Sequence, residues 1–324
     1  MGWSYTWPRL RGGQDPAELG ELVLYHRSRL LRPLRWEGIK LTMGGRVCLV
    51  TGATSGIGRA TAHALAGMGA SVVILGRRPA ELDAVAAQIQ ASTGNHEVTG
   101  LLADLASQDS VRNAADRLLA GHDRLHVLVN NAGVLLNHRS VTADGLEATF
   151  AVNHLGPFLL TNLLLERLKQ SAPSRVVNVT SAASRRGRID FDDLQGGRSF
   201  SGSRAYSQSK LANVLFTYEL ARRLEGTGVT VNCVHPGVVR GTALGRGERF
   251  PLPVRVAWPL LRPLMKRPEQ GARTSVYAAT SPDLEGVSGR SFANSRQART
   301  GAASYDRVLA ERLWTVSAYL VGLA

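Results

Sequence analysis

The sequence predicts a single doubly wound α/β domain built on a parallel sheet, with an N-terminal helical appendage in front of it. Three observations carry this. Short apolar runs without polar alternation recur along the chain, as in strands buried on both faces. The segments between them are long enough and helical enough in composition to serve as right-handed βαβ crossovers. The first run also leads through three crowded glycines into an alanine-rich helix. A strand, a glycine turn and a helix N-terminus form an anion site, where backbone N–H groups and the helix dipole meet negative charge.

The elements follow in order. Residues 1–43 form the appendage. Asp15 is a candidate N-cap, Pro16 takes the first helical position and Glu18 completes a capping box. Leu19, Leu22, Val23 and Leu30 fall near one face beside Arg27, Arg29 and Arg32, and Pro33 ends or kinks the helix. Either this helix packs on its own domain, or it rests as a basic amphipathic helix on an anionic membrane surface. The domain spans 44–324. Its strands are Val47–Thr51, Ser71–Leu75, Val98–Leu102, His126–Asn130, Arg175–Thr180 and Val229–Val234, with a short seventh at Gly289–Phe292. The helices after the glycine turn are Ala80–Gln90, Ser110–Leu119, Val141–Gln170 (bent at Gly156-Pro157) and Ser203–Leu224. A segment at about 240–268 is apolar and interrupted by Pro251, Pro253, Pro259 and Pro263. It reads as a flap over a lipophilic substrate, or as a surface packed on the core or on a second copy in a homo-oligomer.

Composition narrows the partners. The 324 residues carry a net charge of +14, which favours anionic partners or an anionic membrane surface. The arginines are scattered and no aromatic-basic ladder accompanies them, which argues against nucleic acid. No run approaches the roughly 20 apolar residues of a membrane span. Cys48 and Cys233 each sit inside a strand-like run, so they read as buried hydrophobes and not as a disulfide or metal pair. No metal site is expected, and a reducing, cytoplasmic compartment fits, with peripheral membrane contact as the variant.

Ligands in such a sheet bind beyond the carboxyl ends of the strands. Gly52, Thr54, Ser55, Gly56, Ile57 and Gly58 make the phosphate turn. After the second strand stand Arg77 and Arg78, where an NAD-selective site would place an acidic residue; two guanidiniums suit a 2′-phosphate, or else form a solvated loop pair. Asp104 and Leu105 are placed to meet an adenine edge, or Asp104 caps the next helix. Asn130, Asn131, Ala132 and Gly133 end the fourth strand, where amides can brace neighbouring strand ends and small residues admit a cofactor. Tyr206 and Lys210 share a helix face at i, i+4. An ammonium there would acidify the phenol and make Tyr206 a candidate general acid and base. Ser181 can donate to a substrate oxygen, and Asn153 could hold a water leading from Lys210 to solvent.

Thr51-Gly-x-x-x-Gly-x-Gly58, Asn130-Asn-Ala-Gly133, Asn153, Ser181, Tyr206-x-x-x-Lys210 and His235-Pro-Gly237 together resemble the short-chain dehydrogenase/reductase family. The resemblance runs from about Gly44 to the end of the chain. It is strongest to the retinol dehydrogenase branch, through Asn153-His-Leu-Gly156, Ser209-Lys-Leu-Ala-Asn213, Pro268-Glu-Gln-Gly-Ala272 and Arg312-Leu-Trp314. It implies a Rossmann-type fold, NADP(H), contacts from Pro236, Gly237 and Val239, and a catalytic set of Asn153, Ser181, Tyr206 and Lys210. Vertebrate members of the branch often carry an apolar N-terminal anchor, which is not expected here, and the run before Thr242 reads as one residue longer than usual. The function expected is hydride transfer between NADP(H) and a hydrophobic alcohol or carbonyl. The alternative is an NADP(H)-binding scaffold or a peripheral membrane-docking protein with little turnover.

Overall fold

The structure is a computed structural model that describes residues 42–240 and 265–324, all within one compact unit. The expected appendage helix, Thr242 and residues 241–264 of the expected flap lie outside the described residues.

Eight strands make one sheet in the order β3-β2-β1-β4-β5-β6-β7-β8. They are β1 Val47–Thr51, β2 Ser71–Gly76, β3 Val98–Leu102, β4 Val127–Asn130, β5 Ser174–Val179, β6 Val229–His235, β7 Arg290–Ala293 and β8 Arg296–Gln297. All neighbours run parallel except β7 and β8. The antiparallel β8 is absent from the sequence reading. It follows a two-residue turn in which Asn294 and Ser295 both take positive φ, 52° and 57°, the geometry of a tight hairpin.

The inner strands are buried on both sides, which is why they do not alternate in sequence. Leu49, Val73 and Leu75 face one core, under the helices α3 Gln108–Gly121, α4 Gly156–Leu163 and α6 Gly202–Arg223. Cys48, Val50, Val72 and Ile74 face the other core, with α1 Gly56–Gly67, α2 Pro79–Thr93 and α7 Pro268–Thr280. Burying one such aliphatic side chain contributes about 1.5–3 kcal/mol. Cys48 and Cys233 are fully buried free thiols, and burial pushes them up to about 12 and about 11. No helix among the described residues is long and apolar enough to cross a membrane.

Two helices differ from expectation. The long helix does not begin at Val141: Val141 pairs with Glu147 across a tight turn, and the Glu147 carboxylate accepts from the N–H groups of Thr149 and Phe150 at 2.8 and 2.7 Å. Helix therefore starts at Ala148. It does not simply bend at Gly156-Pro157 either. Residues Ala151–Leu155 form a π-helical turn before α4, and α5 Leu165–Gln170 follows a break at Leu164. Pro157 has no N–H to give the carbonyl of Asn153 four residues back. That carbonyl accepts instead from Asn213 Nδ2 of α6 at 2.9 Å.

The second difference is α8 Arg307–Leu320, a helix the sequence reading did not delimit. Asp306 caps it, accepting from Leu309 N at 3.0 Å. Its Trp314 packs on Phe158 (4.9 Å between centroids) and Phe216 (5.8 Å) under the Arg223 guanidinium. Beside them His154 is buried among Phe150, Phe158 and Phe216.

Burial pulls His154 from its ordinary 6.5 down to about 4. Between those values the unfolded chain binds the extra proton, so stability is lost as pH falls through that window. Urea unfolding from pH 7 to pH 4 should cost wild type on the order of 3 kcal/mol more than His154→Gln, which cannot titrate. Equal losses in the two proteins would contradict this account.

Candidate active site

The strand order reverses between β1 and β4, the point outside which ligands bind in such sheets. Thr51 and Asn131 clasp the two strand ends. Thr51 Oγ1 accepts from the N–H groups of Asn131 (2.9 Å) and Ala132 (3.0 Å), while Asn131 Nδ2 donates to the carbonyls of Thr51 (2.8 Å) and Gly52 (3.3 Å). Gly58 lies against this clasp so closely that a Cβ there would stand 2.4 Å from Asn131 Nδ2 and from the Gly52 oxygen.

Helix α1 starts at Gly56 with Ser55 as N-cap. Ser55 makes no side-chain cap bond, and the first turn holds no acidic residue. Ser107 and Asp306 do cap their helices, α3 and α8. The α1 terminus thus keeps its donors and partial positive charge for a ligand anion. Thr54 lies against Gly76 at the end of β2, and Ile57 faces Gly271 of α7 together with Val239. Beyond β6, Pro236 and Gly237 lead to Val239, which bridges to Lys266. Lys266 Nζ donates to the Pro236 carbonyl (3.0 Å) and to Asn294 Oδ1 (2.7 Å). The two ends of the segment between Val239 and Lys266 are therefore fastened together.

Arg77 and Arg78 are both exposed after β2. Arg78 pairs with Glu81 at 2.8 Å, whereas Arg77 has no ion pair or hydrogen bond among the described residues. Asp104 does not cap α3, since Ser107 does. Its Oδ1 accepts from Ala106 N at 3.0 Å and shapes the preceding turn. Leu105 is buried beneath Gly156. Asn130 is also buried: its Nδ2 donates to Thr161 Oγ1 and Asn178 Oδ1, both at 2.9 Å, so it braces strand ends from inside.

The four candidate catalytic residues come together next to this crevice. Gly133 packs against two of them: a Cβ there would lie 3.3 Å from both Asn153 Oδ1 and Lys210 Nζ. Lys210 is buried, donates to the Val179 carbonyl at 3.1 Å and stands 5.7 Å from the Tyr206 ring centroid. Tyr206 is half-buried, and the Ser181 side chain acts on its hydroxyl. The short helical turn Ala182–Arg186 leads from Ser181 to Gly187, which presses on α6 where a Cβ would come 2.4 Å from the Ser207 oxygen. That close contact brings Ser181 to Tyr206.

Two features of these groups bear on their expected parts. Burial sets the protonation from which Tyr206 and Lys210 start. Burial pushes the phenol up to about 12, against a smaller lowering by the Ser181 hydrogen bond, and burial lowers Lys210 to about 8. The Asn153 side chain is engaged by the loop after β4 and by α6. Its Oδ1 accepts from Val134 N (2.7 Å), and its Nδ2 donates to the Val134 carbonyl and to Ser209 Oγ, both at 2.9 Å. Its place is that of a clamp on the loop after β4.

The sequence reading named Ser209 and Asn213 only within a family segment and gave them no role; Ser209 donates to the Tyr206 carbonyl at 2.8 Å, and Asn213 to the Asn153 carbonyl. Both are polar positions one or two helical turns beyond Tyr206, on the buried side of α6, and that was the available signal. Among the described residues no group of three or more His, Cys, Asp or Glu side chains is arranged to hold a metal.

Comparison with known proteins shows the family. A family profile described as short chain dehydrogenase matches residues 46–249. Retinol dehydrogenase 12 of Mus musculus is 47% identical over 304 residues, covering 93% of this chain and 95% of that protein. Retinol dehydrogenase 14 of Homo sapiens is 46% identical over 325 residues, covering 95% and 96%. Among solved structures, a short chain dehydrogenase from Escherichia coli CFT073 complexed with NADPH superposes with a TM-score of 0.64 at 26% identity, covering 79% of this chain and 99% of that one. The chain belongs to the short chain dehydrogenase family, in the branch that holds these retinol dehydrogenases.

Proposed function

We propose that this protein is an NADP(H)-dependent oxidoreductase that interconverts a hydrophobic alcohol and its aldehyde or ketone, with retinol-like molecules as the substrate class. The observation that carries this reading is the Tyr206 hydroxyl beside the Ser181 side chain, with the Lys210 ammonium over the same ring. The uncapped α1 terminus and Arg77, unpaired among the described residues, fit the pyrophosphate and 2′-phosphate of NADP(H). When bound, that cofactor supplies or accepts the hydride. The relatives named above are retinol dehydrogenases, which supports a lipophilic substrate, as do the apolar residues of 249–266.

The residues of this chain have distinct parts. Ser181 and Tyr206 hold the substrate oxygen between two hydroxyls. Burial keeps Tyr206 protonated at neutral pH, so in carbonyl reduction it gives its proton to the oxygen as the alcohol forms. Lys210, charged below about pH 8, offsets the negative charge left on Tyr206. Asn153 and the Thr51–Asn131 clasp hold the backbone around these groups in place.

Tyr206→Phe should reduce turnover of apolar aldehydes, followed by NADPH absorbance, by about 100-fold or more, with NADPH affinity unchanged within about twofold; undiminished turnover would remove Tyr206 from its assigned part. The kcat/KM for reduction should stay flat from pH 6 to about 7.5 and fall above about pH 8, as Lys210 loses its proton. Lys210→Arg should move that limb upward, and a limb that stays in place would point to a different group. Arg77→Ala should weaken NADPH by about tenfold or more and NADH hardly at all, the loss of about one charge-assisted hydrogen bond. Equal weakening of the two cofactors would show that Arg77 does not read the 2′-phosphate.

A further inference from the structure

The catalytic shell connects to α8 through an unbroken line of hydrogen bonds. Ser317 Oγ lies 2.9 Å from His154 Nε2, and His154 Nδ1 lies 3.3 Å from Asn213 Oδ1. Asn213 Nδ2 donates to the Asn153 carbonyl at 2.9 Å. Asn153 Nδ2 donates to Ser209 Oγ at 2.9 Å, and Ser209 Oγ donates to the Tyr206 carbonyl at 2.8 Å. Chemistry orients this line. With its amide nitrogen committed to Asn153, Asn213 offers His154 only an acceptor, so Nδ1 carries the imidazole proton and Nε2 accepts from the Ser317 hydroxyl. His154, Asn153, Ser209 and Ser317 are all at most 1% exposed, and Asn213 is buried as well. No solvent competes for these bonds, and each broken one strands a buried polar group.

The line crosses the backbone where it is least able to support itself. Pro157 denies the Asn153 carbonyl its helical partner, and the π turn Ala151–Leu155 leaves that oxygen to Asn213. Asn213 in turn is oriented only if His154 donates to it. The side chain of the residue so fixed, Asn153, holds both backbone groups of Val134, next to Gly133 and Lys210, and one N–H of it reaches the turn that carries Tyr206.

We propose that His154 is a positioning residue: held by Ser317 of α8, it sets through Asn213 the π turn that aims Asn153 at the 133–134 loop and at the Tyr206–Lys210 turn. The inference rests on the oxidoreductase reading and adds to it that docking of α8 governs turnover and not cofactor affinity. Neither His154 nor Ser317 touches the groups placed around substrate or cofactor. Loss of the line should therefore separate kcat from binding.

Two variants test this in the full chain. His154→Leu removes both bonds, whereas the amide of His154→Asn can still donate to Asn213. His154→Leu should lower kcat with an apolar aldehyde about tenfold to 100-fold, with KM and the NADPH dissociation constant within about twofold of wild type. His154→Asn should recover most of that loss. Amide hydrogen exchange should rise about tenfold at Val134 and across 206–210 in His154→Leu, should stay near wild type in His154→Asn, and should not change in β1 to β3. If His154→Leu does not fold, Ser317→Ala should show the same pattern with a smaller shift. Wild-type kcat and exchange in a folded His154→Leu would overturn the proposal, and so would equal losses in the Leu and Asn variants, which would reduce His154 to packing. If wild type oxidises no NADPH with any aldehyde or ketone tried, the oxidoreductase reading fails by itself. The exchange pattern then still decides whether His154 orders the shell.

Discussion

The clasp between Thr51 and Asn131 is the contact on which the rest depends. It joins β1 to β4 at the one place where the sheet changes winding direction, and so it sets the width of the crevice there. A single hydroxyl serves two backbone N–H groups, and a single amide answers with two donations. Removing the hydroxyl would leave two partly buried donors without a partner, a cost of about 1–3 kcal/mol for each such group. Gly58 is locked to the same clasp, so the start of α1 inherits its position from it. The anion end of the crevice and the proton-donating end are thus referred to one origin.

Burial, more than charge, governs the chemistry of the candidate site. Lys210 and Tyr206 sit on one face of α6 as their spacing implies, yet the lysine spends its donor on the Val179 carbonyl and both groups lose water. Desolvation disfavours the ammonium and the phenolate alike. The result is a tyrosine that holds its proton and a lysine poised to lose one. Such a pair is set for proton delivery to a carbonyl in the absence of any further positive charge.

Much of this was legible in the sequence, for physical reasons that also explain what was not. Strands buried on two faces leave uninterrupted apolar runs, so Val47–Thr51 could be read to the residue. Gly58, Asn131 and Ser181 were read from their places at strand ends, and Tyr206 and Lys210 from their spacing on one helix face. Local patterns said nothing of what side chains do across the fold. Asn130 and Asn131 are adjacent and chemically identical, but the pleat sends one amide into the core and the other to the turn. Glu147 begins a helix by capping it after a tight turn, a device whose sequence is merely polar. Helix α8 carries buried residues at Ala310, Leu313 and Ser317, only one of them large and apolar, too faint a stripe to delimit from periodicity.

The two thiols carry a different consequence. Cys48 and Cys233 face opposite helical layers or lie on separate strands, and each is sealed from water and held far above the pH of any compartment. A thiol in that state is neither a nucleophile nor easily oxidised. Cysteine usage in this chain is therefore silent about its redox surroundings. An alkylating reagent would reach either sulfur only when the sheet itself opens, which turns the pair into a clock for global unfolding.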